Sequence, residues 1–155
     1  MLNSSEPRAS REQLIEIARA HASAEGAGDM AATLATLEAD PRYELHPVGL
    51  AFRGMAQARL FYTHFFTSFK PHIAGYTLLR EWVDDEGVGQ EYSIDLRQPD
   101  GRIESHRVTG ILTFGERALS GERVFADESL LRAMFGPAYE QATPLAAPPT
   151  KSGRA

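Results

Sequence analysis

Two titratable side chains, Glu44 and His46, lie two residues apart in a segment, residues 43–48, that alternates apolar and polar residues as a β-strand does. An imidazole ordinarily titrates near neutral pH and can take or give a proton, and a carboxylate on the same strand face can orient it. This spacing therefore indicates proton-transfer chemistry. The alternative is that both side chains face solvent, because Tyr43 and Leu45 form the apolar face of the strand.

More titratable residues lie in the C-terminal half of the chain. His106 shares a strand face with Gly110 and Leu112, so it is either a site residue or a hydrogen-bonded core residue. Asp127 directly precedes a helical segment and can cap that helix. Arg123 has the same strand parity as Asp127, and a buried guanidinium beside that carboxyl would lower its pKa and keep it ionised.

The composition limits the classes of function. The chain has 155 residues, 43% hydrophobic and 24% charged, which is typical of one globular domain. A net charge of -5 argues against nucleic-acid or anionic-membrane partners, since both need clustered Lys and Arg. No apolar run is long enough to predict a transmembrane helix or a secretory signal, so we expect a cytoplasmic protein. The absence of cysteine excludes disulfides and thiolate sites.

Motifs for metals and cofactors are missing from the sequence. The 5 histidines form neither an H-x-H nor an H-E-x-x-H pattern. The sequence also has no glycine-rich phosphate loop and no Gly-x-Ser-x-Gly elbow. We therefore expect no metal and no cofactor.

Three helices are predicted in the N-terminal half. Ser10 and Gln13 have capping-box spacing and begin a helix that Gly26 and Gly28 end. Asp29 caps a second helix over residues 30–38, before Asp40-Pro41. An aromatic helix follows the strand at residues 43–48 and covers residues 54–69.

The C-terminal half predicts a strand meander. Four long strands, residues 73–83, 88–96, 103–114 and 118–126, are separated by turn residues and followed by a short helix at 128–135. The expected fold is α+β, with the three N-terminal helices packed on a curved antiparallel sheet. The domain covers residues 10–136. It is preceded by a flexible N-terminus, residues 1–9, and followed by an Ala/Pro-rich tail, residues 137–155, predicted to be disordered.

The order of these elements, with the Gly28-Asp29 break and a polar residue before Pro47, resembles the NTF2-like superfamily. That superfamily includes ketosteroid isomerases, SnoaL-type polyketide cyclases and limonene epoxide hydrolases. The resemblance covers about residues 10 to 136 and implies a cone around one deep pocket for an apolar small molecule. It also implies a homodimer through the outer sheet face, for which Ile94, Leu96, Ile111 and Thr113 are candidate contacts.

The resemblance to the isomerases implies roles for three residues. His46 occupies the position of their proton-shuttling aspartate, before Pro-x-Gly. His21 lies eight residues before Asp29, where the isomerases have an oxyanion-binding tyrosine. Tyr62 ends the G-x-x-Q-x-x-x-F-Y motif that begins at Gly54, and its counterpart belongs to the network behind the oxyanion hole. The protonated acid of the isomerases falls at Gly110 here, which argues against steroid isomerisation by that arrangement.

The cyclases and hydrolases imply a second set of residues. Asp127 matches the final aspartate of their last strand, which works as an acid or base. Tyr43 matches a pocket tyrosine of the epoxide hydrolases, and Glu91 lies where those enzymes have an Arg-x-Asp pair that this chain lacks. Phe66 and Trp82 could form walls for a flat apolar ligand, or they could be ordinary core residues.

Two classes of function follow from this reading. The first is a cofactor-independent acid–base enzyme, an isomerase, cyclase or dehydratase, acting on an apolar carbonyl compound. His46, Asp127, His21 and Tyr62 would be its catalytic residues, with Tyr43, Phe66, Trp82, Glu91, His106 and Arg123 binding the ligand. The second is a non-catalytic module that binds or carries a ligand in the same cavity.

Overall fold

The computed structural model describes residues 6–146, and its helices lie mainly on one face of the sheet. Five α-helices are present in this range: α1 (Arg11–Ala27), α2 (Met30–Ala35), α3 (Met55–His64), α4 (Glu128–Phe135) and α5 (Pro137–Glu140). A π-helical turn, Phe65–Phe69, and a 3-10 turn, Lys70–His72, extend α3 toward the sheet. In residues 6–146 no helix is long and apolar enough to cross a membrane.

Local sequence signals determine where the first two helices begin and end. Ser10 and Gln13 form the predicted capping box, in which each side chain accepts a hydrogen bond from the other residue's backbone N–H. Gly28 ends α1 in the left-handed conformation, with φ 73°. The Asp29 side chain then accepts from the Ala32 N–H at 2.9 Å and begins α2.

The seven strands form one curved, open sheet in the order β3-β4-β5-β6-β1-β2-β7. They are β1 (Leu37–His46), β2 (Leu50–Arg53), β3 (Ile73–Val83), β4 (Gly87–Arg97), β5 (Ile103–Phe114), β6 (Leu119–Phe125) and β7 (Thr143–Pro144). Neighbouring strands are antiparallel except β1 and β6, which run parallel. The expectation of a purely antiparallel sheet is therefore corrected, because β1 enters the sheet alongside a strand of the same direction.

The second helix is shorter than predicted. It ends at Ala35, and residues 37–46 form β1 instead of continuing the helix to residue 38. Pairing with β6 explains the difference, because Leu37 is in register with Leu119 and the Leu119 N–H donates to the Thr36 carbonyl at 2.9 Å. Pro41 lies in the irregular stretch between Leu37 and Arg42, where a residue without an N–H is tolerated.

Both ends of the predicted domain extend further than expected. Pro137–Glu140 forms α5 and Thr143–Pro144 forms β7, which pairs with β2. Ala138 and Tyr139 are buried, so the disordered tail does not begin at 137. At the other end, the Ala9 N–H donates to the Glu116 carbonyl at 2.7 Å. The rest of the two predicted flexible segments, residues 1–5 and 147–155, lies outside the described residues.

The core lies between the helices and the inner face of the sheet. Aromatic rings fill much of it, with Phe61 stacked on Phe135 at 4.3 Å and Tyr43 stacked on Phe52 at 5.0 Å between ring centroids. Ile94 and Leu96 belong to this inner face and are buried within the single chain. They cannot contribute to an outer-face dimer, which corrects that part of the expectation.

Candidate functional site

A cavity of about 410 Å³ opens between α1, the π-helical turn and the inner face of β3 to β6. Most of its wall is apolar or aromatic, contributed by Phe61, Phe65, Ile73, Tyr76, Tyr92, Ile94, Leu112, Val124, Met134 and Phe135. Five polar side chains also line it: His21, Glu25, Lys70, Gln90 and Glu122. An apolar hollow with a few polar groups is the usual form of a small-molecule site.

His21 is buried on α1, and both of its ring nitrogens have protein partners. Nδ1 lies 2.7 Å from Thr36 Oγ1. Nε2 lies 3.0 Å from the Tyr62 hydroxyl and 3.2 Å from Glu25 Oε2. The Tyr62 hydroxyl in turn lies 3.1 Å from that of Tyr43. A continuous chain of hydrogen bonds therefore runs from α2 through His21 into the core.

Thr36 determines which nitrogen of His21 carries a proton. Its hydroxyl donates to the Thr33 carbonyl at 2.6 Å, and a hydroxyl has only one proton to give. Thr36 Oγ1 must therefore accept from His21, which places a proton on Nδ1. The close approach of Nε2 to Glu25 is then favourable only when a second proton lies between them. His21 and Glu25 thus form a proton-sharing pair at the cavity wall.

Glu122 projects from β6 into the same cavity. No hydrogen bond reaches its carboxyl from any of residues 6–146. Burial, together with the negative charge of Glu25, raises the pKa of Glu122 to about 8. The side chain is half-buried and lines both this cavity and a second, more open groove. At neutral pH this side chain is therefore a neutral carboxylic acid and a hydrogen-bond donor.

Gly110 leaves the space that the Glu122 carboxyl occupies. A Cβ atom at position 110 would lie 2.7 Å from Glu122 Oε1, closer than real Cβ contacts come. The acid that the isomerase resemblance puts at position 110 is thus absent, and a carboxyl from the neighbouring strand fills the same volume.

Lys70 is the lysine that lines the cavity, and its ammonium group is hydrogen-bonded to the backbone. Lys70 Nζ donates to the backbone carbonyls of Glu25 at 2.9 Å and Gly26 at 2.6 Å, at the C-terminus of α1. Gln90 Nε2 donates to Glu81 Oε2 at 2.7 Å. The Lys70 ammonium keeps its positive charge and one further N–H, whereas the Gln90 amide is held by Glu81.

His46 lies on the opposite face of the sheet from the cavity. Its partners are Glu44, 3.3 Å from Nε2, and the ring of Phe125, stacked at 4.6 Å. Tyr43 and Leu45 are fully buried, so strand alternation turns Glu44 and His46 outward. Glu44 and His46 therefore face away from the cavity, as in the second of the two interpretations of the sequence. The interpretation of His46 as the leading base of the cavity is corrected.

Asp127 and His106 form a separate pair near the start of α4. His106 Nδ1 lies 2.6 Å from Asp127 Oδ2, and Asp127 also caps α4 by accepting from the Leu130 N–H at 2.9 Å. Burial opposes ionisation of Asp127, but hydrogen bonds from Ser129, His106 and Leu130 outweigh it and lower its pKa to about 2. Neither Asp127 nor His106 lines the cavity, so the structure does not bring them to His21.

The remaining sequence candidates divide between the core and the outer face. Tyr43, Tyr62 and Phe66 pack in a layer behind the cavity wall. Glu91 pairs with Arg107 at 2.6 Å on the outer face, and Trp82 covers Gly89 there. Arg123 also faces outward, and its Nε has no partner among residues 6–146. Of the ten candidates, His21 alone lines the cavity.

Two cavity carboxyls were missed by the sequence analysis, although both left a signal. Glu25 follows His21 by one helical turn, so the two share a face of α1. Glu122 alternates with Val124, which is buried, and so shares the inner face of β6. Arg123 and Asp127, to which the resemblance pointed, have the opposite parity on this strand.

A larger, open groove is lined by charged side chains from the start of α1 and from β1, β2 and β6, among them Arg11, Asp40, Arg42, Glu44, Arg53 and, as in the inner cavity, Glu122. Its charges largely pair with one another, as in Arg53–Asp40 at 2.5 Å and Arg42–Glu44 at 3.4 Å. It lacks the apolar walls of the inner cavity, which is therefore the better candidate site.

Solved structures with the same fold are numerous, although no family model and no curated protein matches the sequence. An NTF2-like protein of unknown function from Cytophaga hutchinsonii matches with a TM-score of 0.61 and 13% identity, over 74% of this chain and 99% of that chain. A protein described as a SnoaL-like polyketide cyclase, from a Jannaschia species, matches with a TM-score of 0.63 and 17% identity, over 88% and 99%. TerC, crystallised with polyporic acid, matches with a TM-score of 0.59 and 13% identity, over 79% and 98%.

These likenesses confirm the NTF2-like fold. The structural neighbours of this chain are NTF2-like and SnoaL-like proteins, as the order of its elements indicated. At such low identities the comparison concerns the fold alone, so the function has to be argued from the cavity.

Proposed function

We propose that the cavity binds an apolar carbonyl compound and catalyses a cofactor-independent proton transfer next to the carbonyl. The observation that carries this proposal is the neutral carboxyl of Glu122 in a largely apolar cavity that also holds the proton-sharing pair His21–Glu25. In acid–base sites, the surroundings typically raise the pKa of one titratable group and lower that of another, so that one is protonated and the other is not.

The roles follow from these protonation states. Glu25, as a carboxylate beside the Nε2 proton of His21, takes a proton from the carbon next to the carbonyl. The C–H electrons form a carbon–carbon double bond, and the carbonyl oxygen gains negative charge that Glu122 stabilises by donating a hydrogen bond. Return of the proton to another carbon gives an isomer. His21 and Thr36 are positioning residues, and Tyr62 and Tyr43 support His21 from behind.

Two fold neighbours are consistent with this class of ligand. One is described as a SnoaL-like polyketide cyclase, and TerC was crystallised with polyporic acid. Polyporic acid is therefore a reasonable first ligand to test against this chain.

A binding or carrier module is the second candidate function. The observation that favours it is that Glu25, the candidate base, is already paired with His21 Nε2 at 3.2 Å before any ligand binds. In that case Glu25 takes no proton from the ligand, and the cavity holds its ligand without turnover.

Exchange of α-protons with solvent distinguishes the two functions without knowledge of the natural substrate. Apolar ketones such as 2-tetralone would be incubated with the protein in D₂O and followed by proton NMR. We expect faster exchange with the protein, and a loss of about 10²-fold or more with Glu25→Gln. Glu91→Gln, on the outer face, is the matched control. It should give the same rate of ketone α-proton exchange as the parent protein. Ketone binding without any exchange would favour the carrier.

We also propose that two copies pair through the outer sheet face, and we expect the protein to act in the cytoplasm. Phe125 and Trp82 expose 39% and 37% of their surface on that face, although its other residues are mostly polar. Burying these rings against a second copy would contribute to association.

A further inference from the structure

The entrance of the cavity and its inner end differ in exposure. Tyr76 of β3 exposes 55% of its surface, and Gly26, at the end of α1, is also exposed. Phe61 of α3 and Phe135 of α4, which also line the cavity, are buried. The cavity is therefore entered between the C-terminus of α1 and the start of β3, and its inner end is apolar.

Lys70 lies at this entrance. Its Nζ donates to the carbonyls of Glu25 at 2.9 Å and Gly26 at 2.6 Å, and it lies 5.7 Å from the centre of the Phe66 ring. These three contacts fix the position of the ammonium group before any ligand binds. Little side-chain entropy is therefore lost when a ligand contacts it.

The positive charge of Lys70 is not balanced by an ion pair. No carboxyl of residues 6–146 pairs with it, and its two carbonyl partners leave one N–H of the ammonium without an acceptor in that range. The carbonyls at the end of a helix carry only about half a negative charge, so a net positive charge remains there. A carboxylate would supply both the acceptor and the opposite charge.

The other titratable groups of the cavity leave this charge in place. The pair His21–Glu25 has no net charge when the second proton lies between its members, and Glu122 is neutral at neutral pH. Lys70 is thus the net charge of the cavity wall. One charge and one N–H suit a carboxylate better than a phosphate, which has more charge and more acceptor oxygens.

We propose that Lys70 forms an anion subsite at the entrance of the cavity, so that the ligand has an apolar body inside the cavity and one carboxylate at its outer end. This inference rests on the proposed function for the carbonyl group inside the cavity, and it narrows the substrate class to oxo acids. Lys70 is a binding residue that the sequence analysis did not identify.

A matched series of naphthalene ligands tests the subsite by binding alone. The series is 3-(2-naphthyl)propionate, its primary amide and 3-(2-naphthyl)propylamine, each titrated calorimetrically at pH 7. None of them is a ketone, so the comparison requires no proton transfer. We expect the carboxylate to bind about tenfold more tightly than the amide, because a charge-assisted hydrogen bond replaces a neutral one. The amine should bind more weakly than the amide.

Variants assign the preference to Lys70. Lys70→Met keeps an unbranched side chain without the charge, and should bind the carboxylate no more tightly than the amide. Retained amide binding also reports that this variant is folded. Lys70→Arg keeps the charge and should keep a preference for the carboxylate. Arg19→Met is the control, because Arg19 is an exposed cation of α1 that pairs with Glu16 and does not line the cavity.

Salt gives a further measurement on the parent protein. Lys70 is only partly buried, so its interaction with a carboxylate is partly screened by ions. The preference for the carboxylate over the amide should therefore shrink as the salt concentration is raised, whereas amide binding should not weaken. A preference that does not respond to salt would contradict an ion pair at the entrance.

Several other results would overturn the subsite. They are equal or weaker binding of the carboxylate relative to the amide, tightest binding of the amine, no binding of any of the three ligands, or a preference that Lys70→Met retains. Failure of the proposed function is separate. A protein that prefers the carboxylate but exchanges no α-protons of 2-tetralone retains the subsite and loses only the catalysis, and the reverse result retains the catalysis and loses the subsite.

Discussion

At the scale of single residues, one hydroxyl proton determines the state of the candidate base. Thr36 gives its proton to the Thr33 carbonyl and accepts from His21 Nδ1, which leaves Nε2 to share a proton with Glu25. The hydrogen bonding of the pair His21–Glu25 therefore depends on a residue that does not line the cavity. This is a positioning role, and it can be measured without a substrate.

Thr36→Val removes the acceptor for the Nδ1 proton, and we expect His21 to lose its fixed tautomer. Nitrogen NMR of the imidazole should detect a protonated Nδ1 in the parent protein and a shift of that proton in the variant. An unsatisfied buried donor should also destabilise the fold by about 1–3 kcal/mol. Thr36→Ser keeps the hydroxyl and should restore both properties. An unprotonated Nδ1 in the parent protein would refute the assignment.

At the scale of elements, the parallel pairing of β1 with β6 determines which side chains face the cavity. It depends on a close approach at Gly121, where φ is 143° and an added Cβ would lie 1.7 Å from the Arg42 carbonyl oxygen. Any side chain there would push the two strands apart. This pairing holds Tyr43 inward and His46 outward.

Gly121→Ala should therefore lower the free energy of unfolding by about 3 kcal/mol or more, from backbone overlap added to conformational strain. Gly101→Ala is the matched control. Its φ is also positive, at 86°, but nothing lies within 4 Å of an added Cβ, so only the strain of about 1–2 kcal/mol is expected. Chemical denaturation of the two variants measures the difference, and equal losses would contradict the close approach.

Element types and their order could be predicted from the sequence because their signals are local. The capping box at Ser10, the glycine end of α1 and the turns between the long strands are examples. The pairing of β1 with β6 could not be predicted, since it joins residues some eighty positions apart. The site was predicted only at His21, because a resemblance to proteins with a different acid position directed attention away from Glu122.

At the scale of the whole molecule, the proposed homodimer places the outer sheet faces together and leaves each cavity within its own chain. Phe125→Asp puts a charge on that face, and we expect it to convert a dimer into a monomer. Leu78→Asp is the control, because Leu78 is similarly exposed but pairs with Tyr92 on the cavity side of the sheet. Light scattering after size-exclusion chromatography gives the mass of each. A parent protein with the mass of one chain would contradict the dimer.

The neutral carboxyl of Glu122 is the central claim, and infrared difference spectroscopy tests it most directly. Spectra of the parent protein and Glu122→Gln would be compared over a pH titration, so that the band of this one carboxyl is isolated. The predicted result is a protonated carboxyl that persists at pH 7 and disappears with a midpoint of about 8. Ionisation near the ordinary value of 4.5 would contradict it, and with it the cavity's role as a donor to a carbonyl oxygen.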